Sequence, residues 1–201
     1  GVDTNSTDPE YTENGKVESG LLFDDNDTVN FGHIDFGESF TASTWVKMRE
    51  ENDYRWVLGQ RRGAGVNRGW NIYANPGGYW DFWSGCDTGD ACWHKIKGPD
   101  VQVNTWTHVV MTGVNGESIS GYINGRKIGD VEESDMYTTT TENQEFRLGS
   151  IGGNAMNGTI DEVKLYDRRL SDTEIHELYQ EGTGGRDMRQ ITRNQGLVGY
   201  W

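Results

Sequence analysis

Residues 158–182 constrain the fold more than any other part of this sequence. Residues 158–167 (GTIDEVKLYD) alternate β-branched and aromatic side chains with polar ones, which is typical of a half-buried strand. Ser171 and Glu174 then have the spacing of a capping box and predict the start of a helix. That helix has one apolar stripe, made by Ile175, Leu178 and Tyr179. The sequence therefore predicts a strand followed directly by a short helix that docks through a single face.

The composition indicates one β-sandwich domain. With 201 residues, of which 33% are hydrophobic, the chain is long enough for one ordinary sandwich and too short for two full domains. Its 28 glycines and 3 prolines predict many tight turns between short antiparallel strands. No apolar run approaches the roughly 20 residues that span a bilayer, so we expect no membrane insertion.

The net charge of −14 argues against nucleic acid and anionic membranes as partners. Such an acidic surface suits a soluble extracellular protein, or one living in high salt. No signal peptide is present, which is consistent with a processed chain or a fragment.

Five further stretches have a recognisable order and spacing. They are residues 20–24 (GLLFD), 40–47 (FTASTWVK), 106–112 (WTHVVMT), 121–128 (GYINGRKI) and 146–149 (FRLG). Together with the strand and helix above, they resemble the laminin-G-like domain of the concanavalin A-like jelly-roll superfamily, a type common in bacterial, archaeal and phage surface proteins. The resemblance implies an all-β fold, an antiparallel two-sheet jelly-roll sandwich with one short α-helix on its C-terminal side.

The same resemblance divides the chain into four parts. Residues 1–19 form a polar arm or loop, 20–182 the jelly-roll domain, 183–195 a linker, and 196–201 a strand. This last segment (GLVGYW) resembles the strand with which laminin-G-like domains usually begin, either of a following repeat or of a permuted domain. Residues 1–19 contain nothing similar to that first strand, so residues 20–182 alone would form a sandwich that lacks one strand. The gap would expose a hydrogen-bonding edge of the sheet. We therefore predict that residues 196–201 fill that slot, in the same molecule or in a neighbouring repeat, rather than fraying as a tail.

Residues 61–94 are the main candidate for ligand binding because they contain half of the chain's 8 tryptophans. Strand alternation leaves some of these rings beside polar groups on an outer face, whichever set faces inward. Flat rings pack against the C–H faces of sugars, and nearby polar side chains bind the hydroxyls. The predicted ligand-binding residues are Arg62, Trp70, Tyr73, Trp80, Asp81, Trp83 and Trp93. The alternative is that most of these aromatics belong to the core.

Cys86 and Cys92 enclose a short loop that contains a glycine. In an exported protein this spacing predicts a local disulfide that holds the loop beside the aromatic cluster. The alternative is a metal site with His94, Asp87 and Asp90, which lacks the paired spacing of structural zinc sites.

Acidic residues form a second candidate site. Members of the superfamily often hold a structural calcium, and carboxylate oxygens are the ligands that Ca²⁺ requires. Asp161 lies between apolar residues of a half-buried strand, where a charge needs a partner. We therefore predict one structural Ca²⁺ held partly by Asp24 and Asp161, the alternative being a solvated acidic surface.

The sequence contains no motif that indicates catalysis. It lacks a Gly-x-Ser-x-Gly elbow, a His-Glu-x-x-His helix and a phosphate-binding glycine loop. We predict a non-catalytic carbohydrate-recognition module of a larger extracellular or cell-surface protein, with a glycan or glycoconjugate as partner. The alternatives are a protein–protein adhesion or structural module in a tandem array, and a glycan-degrading enzyme whose two carboxylates come from distant strands.

Overall fold

Two antiparallel sheets enclose one hydrophobic core in the computed structural model, which describes residues 8–24, 26–61, 69–86, 93–137, 144–151, 153–184 and 196–201. The first sheet has eight strands, in the order β1 (Glu10–Thr12), β2 (Gly20–Phe23), β14 (Gly158–Tyr166), β4 (Ser39–Met48), β9 (Thr107–Val114), β10 (Ser118–Ile123) and β11 (Arg126–Glu132), with β15 (Leu197–Tyr200) also paired to β14. The second has seven, in the order β12 (Met136–Tyr137), β7 (Tyr79–Cys86), β6 (Gly69–Ala74), β5 (Arg55–Arg61), β13 (Glu145–Leu148) and β3 (Val29–Asn30), with β8 (Trp93–Asp100) paired to β7. The helix α1 (Asp172–Gly182) follows β14. The predicted two-sheet jelly-roll sandwich is confirmed.

Alternating residues of the central strands supply the core between the sheets. From the first sheet, Phe40, Ala42 and Val46 of β4 point inward and are fully buried. From the second sheet, β6 contributes Trp70 and Ile72 to the same cluster. The Trp70 ring stacks on Phe40 with centroids 4.2 Å apart, so the two sheets interlock through aromatic rings.

The helix covers the outer face of the first sheet. Its buried residues Ile175 and Leu178 pack in a second cluster with Val110, Tyr122, Tyr166 and Leu170. Near its end, Tyr179 stacks on Trp45 with ring centroids 5.5 Å apart. Because a Cβ at Gly182 would lie 2.2 Å from Trp45 Nε1, only glycine fits where the helix meets this ring. The first sheet is thus packed on both faces around β4.

The predicted capping box begins this helix. Ser171 Oγ accepts the Glu174 backbone N–H at 3.3 Å, and Glu174 Oε2 accepts the Ser171 N–H at 2.8 Å. Glu174 also pairs with Arg168 at 2.7 Å. The Arg168 hydrogen bond, together with the Ser171 donors, lowers the pKa of Glu174 to about 2.

Replacing Glu174 by Gln is expected to lower the free energy of unfolding at pH 7 by about 1 kcal/mol, the usual value of a cap contact. A depressed carboxylate pKa stabilises the fold above the unfolded-state value, and that stability is lost as pH falls from about 4.5 to about 2. Urea unfolding of both proteins at several pH values checks this. The difference between them should shrink in that window, and a constant difference down to the lowest pH would contradict the prediction.

Asn124 and Gly125 form a tight hairpin turn. These residues join β10 to β11, and both have left-handed backbone angles, φ 50° and 72°. A two-residue turn of this kind requires positive φ at both positions, which Asn and Gly tolerate.

Residues 196–201 pair within the same chain. Strand β15 runs antiparallel to β14, with Lys164 opposite Tyr200, beyond the stretch of β14 that pairs with β2. Val163 and Trp201 exchange two backbone hydrogen bonds, of 2.6 and 2.9 Å. Glu162, at φ 53° in a bulge of β14, accepts the Tyr200 hydroxyl at 2.7 Å. The slot beside the second half of β14 is thus filled in cis.

Within the described residues, no helix is long and apolar enough to cross a membrane.

Candidate ligand-binding face

The outer face of the second sheet carries a group of aromatic rings. We call this surface, made by Trp56, Tyr73, Trp83 and Trp93, the aromatic face. Adjacent centroids are 5.4 Å apart between Trp56 and Tyr73, 5.9 Å between Tyr73 and Trp83, and 5.6 Å between Trp83 and Trp93. Trp56 and Tyr73 are buried at one end, whereas Trp83 and Trp93 are only half-buried. Part of each of these two indoles is therefore open to a ligand.

A bulge in β5 explains why Trp56 lies on this face. The β5–β6 register shifts between Trp56 and Leu58, so that Trp56 pairs with Tyr73 and Leu58 with Ile72. Regular alternation would have placed Trp56 and Leu58 on the same side. The extra residue turns Trp56 outward, where it packs with Tyr73 and Ile151.

Cationic side chains lie against these rings. The Arg61 guanidinium is 5.0 Å from the Trp93 centroid and 5.7 Å from that of Trp56, and its Nη1 donates to the Tyr73 hydroxyl at 3.4 Å. Burial raises the pKa of Tyr73, and the nearby Arg61 charge opposes that rise. Lys95 Nζ is 5.8 Å from the Trp83 centroid. Aromatic and cationic groups thus alternate across the face.

Two buried polar residues lie beneath the rings. Asp81 is 1% exposed, and its Oδ2 accepts the Asn75 side-chain N–H at 2.7 Å. Burial raises the pKa of Asp81, while Trp83 and Asn75 act in the opposite direction. Asn71 is 0% exposed, between Gly59 and Trp83 in the strand register, and neither of its amide atoms has a hydrogen-bond partner among the described residues. A buried amide without a partner is costly and rare, so Asn71 marks an unusual point of this face.

The structure brings together four of the seven residues predicted to bind ligand. Tyr73, Asp81, Trp83 and Trp93 share the outer face. Trp83 and Trp93 are the accessible ones, whereas Tyr73 and Asp81 are buried below them. Arg62 lies outside the described residues. The sequence-based prediction did not include Trp56 or the cations beside the rings. The pairing of residues across neighbouring strands is the signal that would have identified them.

The prediction was wrong for Trp70 and Trp80. They are 0% and 1% exposed and belong to the core between the sheets. Alternation separates Trp80 from Trp83, but it does not tell which of the two faces inward. Fully buried rings have no surface to offer a sugar, so these two tryptophans stabilise the fold instead.

The predicted disulfide falls partly outside the described residues. Cys86 ends β7, is buried and is not a free thiol. Cys92 lies outside the described residues, so its pairing with Cys86 stays a prediction. Near Cys86, His94 Nε2 is 2.8 Å from Asp135 Oδ1, and these three side chains are close enough to hold a metal. Because Cys86 has no free thiolate, this set does not fit a metal site.

Asp161 has a structural role in the fold. Its Oδ2 accepts the backbone N–H groups of Lys16 and Val17 at 2.7 and 2.8 Å, and its Oδ1 accepts that of Glu162 at 2.7 Å. Burial raises the pKa of Asp161, and these hydrogen bonds oppose the rise. The partner that a charge in this strand needs is thus the backbone of the N-terminal arm.

Asp24 does not lie beside Asp161. In the β2–β14 register Phe23 is opposite Gly158, so Asp24 and Asp161 lie at opposite ends of β2, about 13 Å apart at the usual rise per residue. The Asp24 backbone N–H instead donates to Asp27 Oδ2 at 2.8 Å. This geometry gives a shared calcium site no support, and calcium binding stays a prediction.

Comparison with known proteins places the chain in a family. Residues 23–176 match the family described as the concanavalin A-like lectin/glucanases superfamily, and the chain belongs to it. It is more particularly a laminin-G-like domain of that superfamily. No curated protein sequence matches the chain.

Several solved structures share the fold. The binding domain of Paraclostridial Mosquitocidal Protein 1 superposes with a TM-score of 0.68 at 18% identity, covering 87% of this chain and 46% of that one. Domain 4 of AbnA, a GH43 extracellular arabinanase from Geobacillus stearothermophilus solved with arabinotriose, gives 0.66 at 21%, covering 89% and 84%. The binding domain of botulinum neurotoxin DC in complex with rat synaptotagmin II gives 0.65 at 16%, covering 87% and 46%. The chain therefore spans about half the length of these toxin binding domains and most of the arabinanase domain.

Proposed function

We propose that this domain is a non-catalytic carbohydrate-recognition module of a larger extracellular or cell-surface protein. The observation that carries the proposal is the pair of half-buried indoles, Trp83 and Trp93, whose centroids are 5.6 Å apart on the outer face of the second sheet. Helix α1 packs on the other sheet, so the described part of the chain places no helix over these rings. Flat aromatic surface beside polar groups is what sugar recognition requires.

The fold neighbours support a binding role. One is an arabinanase domain in complex with arabinotriose, and others are the binding domains of Paraclostridial Mosquitocidal Protein 1 and of a botulinum neurotoxin. Asp81 is the acid on this face with a raised pKa, the property of a catalytic acid. At 1% exposure, however, its carboxyl is out of reach of a glycosidic oxygen. Binding without catalysis is therefore the better-supported proposal.

Replacing Trp83 or Trp93 by Ala is expected to weaken glycan binding about tenfold or more, as for aromatic residues at the centre of an interface. A glycan array identifies a ligand, and calorimetry then measures the affinity of each variant. Trp106→Ala is the matched control, because Trp106 is a half-buried tryptophan directly before β9, in the other sheet, and also has a lysine over its ring. Unchanged affinity in both face variants would place the site elsewhere.

A protein-binding role is the second candidate. It is favoured by the toxin binding domain solved with synaptotagmin II, a protein ligand. The glycan array described above distinguishes glycan binding from protein binding. A domain that binds no glycan but captures a protein through Trp83 or Trp93 would show that this face recognises protein surface.

A further inference from the structure

We propose that the glycan bound by the aromatic face is anionic, carrying carboxylate or sulfate groups beside its sugar rings. This inference rests on the proposed function and names the class of its ligand. It is carried by three cations, Arg61, Lys95 and Lys97, that lie on this face next to aromatic rings.

These cations form no ion pair with any acidic side chain that the structure describes. The chain has 32 acidic and 18 basic residues, and many cations elsewhere are paired with carboxylates. Such ion pairs are formed by Arg55, Lys127, Arg147, Lys164 and Arg168. In the described part of the chain, Arg61, Lys95 and Lys97 form no ion pair and instead contact the rings of Trp93, Trp83 and Tyr79.

The acids near these cations are already engaged or buried. Lys97 pairs across strands with Asp81, which is buried and bonded to Asn75, and the charges of Lys95 and Lys97 both act on its carboxyl. On neighbouring strands, Glu145 pairs with Arg147, and Asp135 with His94. Asp81 attracts Lys95 and Lys97 from below and Glu145 lies opposite Arg61, so part of the charge is offset, but none of the three cations forms an ion pair in the described part of the chain. At physiological ionic strength the screening length is about 8 Å, so a bound anion responds mainly to these nearby cations.

Arg61 has hydrogen-bonding capacity left for an anion. Among the described residues its guanidinium makes one long bond, from Nη1 to the Tyr73 hydroxyl at 3.4 Å; the Nε is buried, so the remaining donors on the two terminal nitrogens are the ones that an anion could use. A guanidinium presents its donors as a fork that matches carboxylate and sulfate oxygens. Because this group lies 5.0 Å from the Trp93 centroid, one sugar stacked on Trp93 would place a charged substituent within its reach.

Lys95 and Lys97 extend the same arrangement along β8. They are two positions apart on one side of the strand and opposite Trp83 and Asp81, so their backbone positions are separated by about 7 Å. Lys97 Nζ lies 3.9 Å from the Tyr79 centroid. Cations and rings therefore form one continuous row from Arg61 to Tyr79, which fits an oligosaccharide with charges on successive units better than a single neutral sugar.

The test compares three probes of similar length by calorimetry at 50 and 300 mM NaCl. They are an oligogalacturonate, a heparin-derived oligosaccharide and a neutral arabinan oligosaccharide. We expect at least one anionic probe to bind about tenfold or more tightly than the neutral one, and more weakly at high salt. Arg61→Gln and the double variant Lys95→Gln/Lys97→Gln should each lower that affinity about tenfold.

Lys47→Gln is the matched control, because Lys47 also lies over a tryptophan ring, Trp106 at 4.9 Å, but belongs to the other sheet. Its affinity should not change. The neutral probe could instead bind as tightly as the anionic ones, with its affinity lowered by Trp83→Ala but not by the cation variants. That result would overturn this inference and leave the proposed function standing. A polyglutamate peptide that binds as tightly as the anionic glycans would show simple charge attraction and would also overturn it. Absence of binding to any glycan would refute both proposals.

Discussion

Removing residues 196–201 is expected to lower the free energy of unfolding by at least roughly 3–4 kcal/mol, at about 1 kcal/mol for each hydrogen bond lost. Besides the regular β14–β15 ladder, the lost bonds are the Val163–Trp201 pair, the Asp167 N–H to Gly196 O at 2.8 Å, and the Tyr200 hydroxyl to Glu162. Leu197, which packs against the cluster under helix α1, would also be lost. The exposed edge of β14 invites pairing between molecules, so the truncated protein should self-associate as well.

Urea unfolding and sedimentation of the truncated and full chains measure both effects. Val198→Ser is the control, because Val198 is 42% exposed and its replacement keeps the strand. Adding a peptide of residues 196–201 at high concentration should restore part of the lost stability by refilling the slot. Equal stability and solubility of the truncated and full chains would show that β15 contributes nothing to the fold.

Trp80→Ala is expected to destabilise the domain by about 3–5 kcal/mol, the usual cost of removing a large core ring. Trp80 is 1% exposed and packs closely against Gly98, where a Cβ would lie 3.0 Å from the Trp80 Cβ. Trp83→Ala, three positions along the same strand, should cost less than half as much, since that ring is half-buried on the outer face.

Denaturation of the two variants side by side checks this contrast in stability. Glycan affinity should rank the variants in the opposite order, with the larger loss in Trp83→Ala. In the fraction that stays folded, Trp80→Ala should keep its affinity while Trp83→Ala loses it. A Trp80→Ala protein as stable as the parent, or one that specifically loses glycan binding, would contradict the assignment of this residue to the core.

Local features of the fold were predictable because their signals lie within a few residues. The capping box needs Ser171 and Glu174 at one spacing, and the β10–β11 hairpin needs Asn124 and Gly125. In each case the interacting atoms belong to neighbours in the chain. The binding residues were predictable only in part, since alternation sorts Trp80 and Trp83 onto opposite faces without telling which face is covered.

The sequence by itself determined the two-sheet sandwich, its helix and hairpin, and the concentration of aromatic residues in residues 61–94. Only the tertiary structure decided which of those rings are accessible, because burial depends on the sheet packed opposite. One extra residue in β5 turned Trp56 outward, and the pairing of β5 with β6 and of β6 through β8 set Arg61 against Trp93, 32 positions later in the chain. Likewise, Asp161 binds the backbone of Lys16 and Val17, 145 and 144 positions away. Such contacts join distant segments, so no local pattern encodes them.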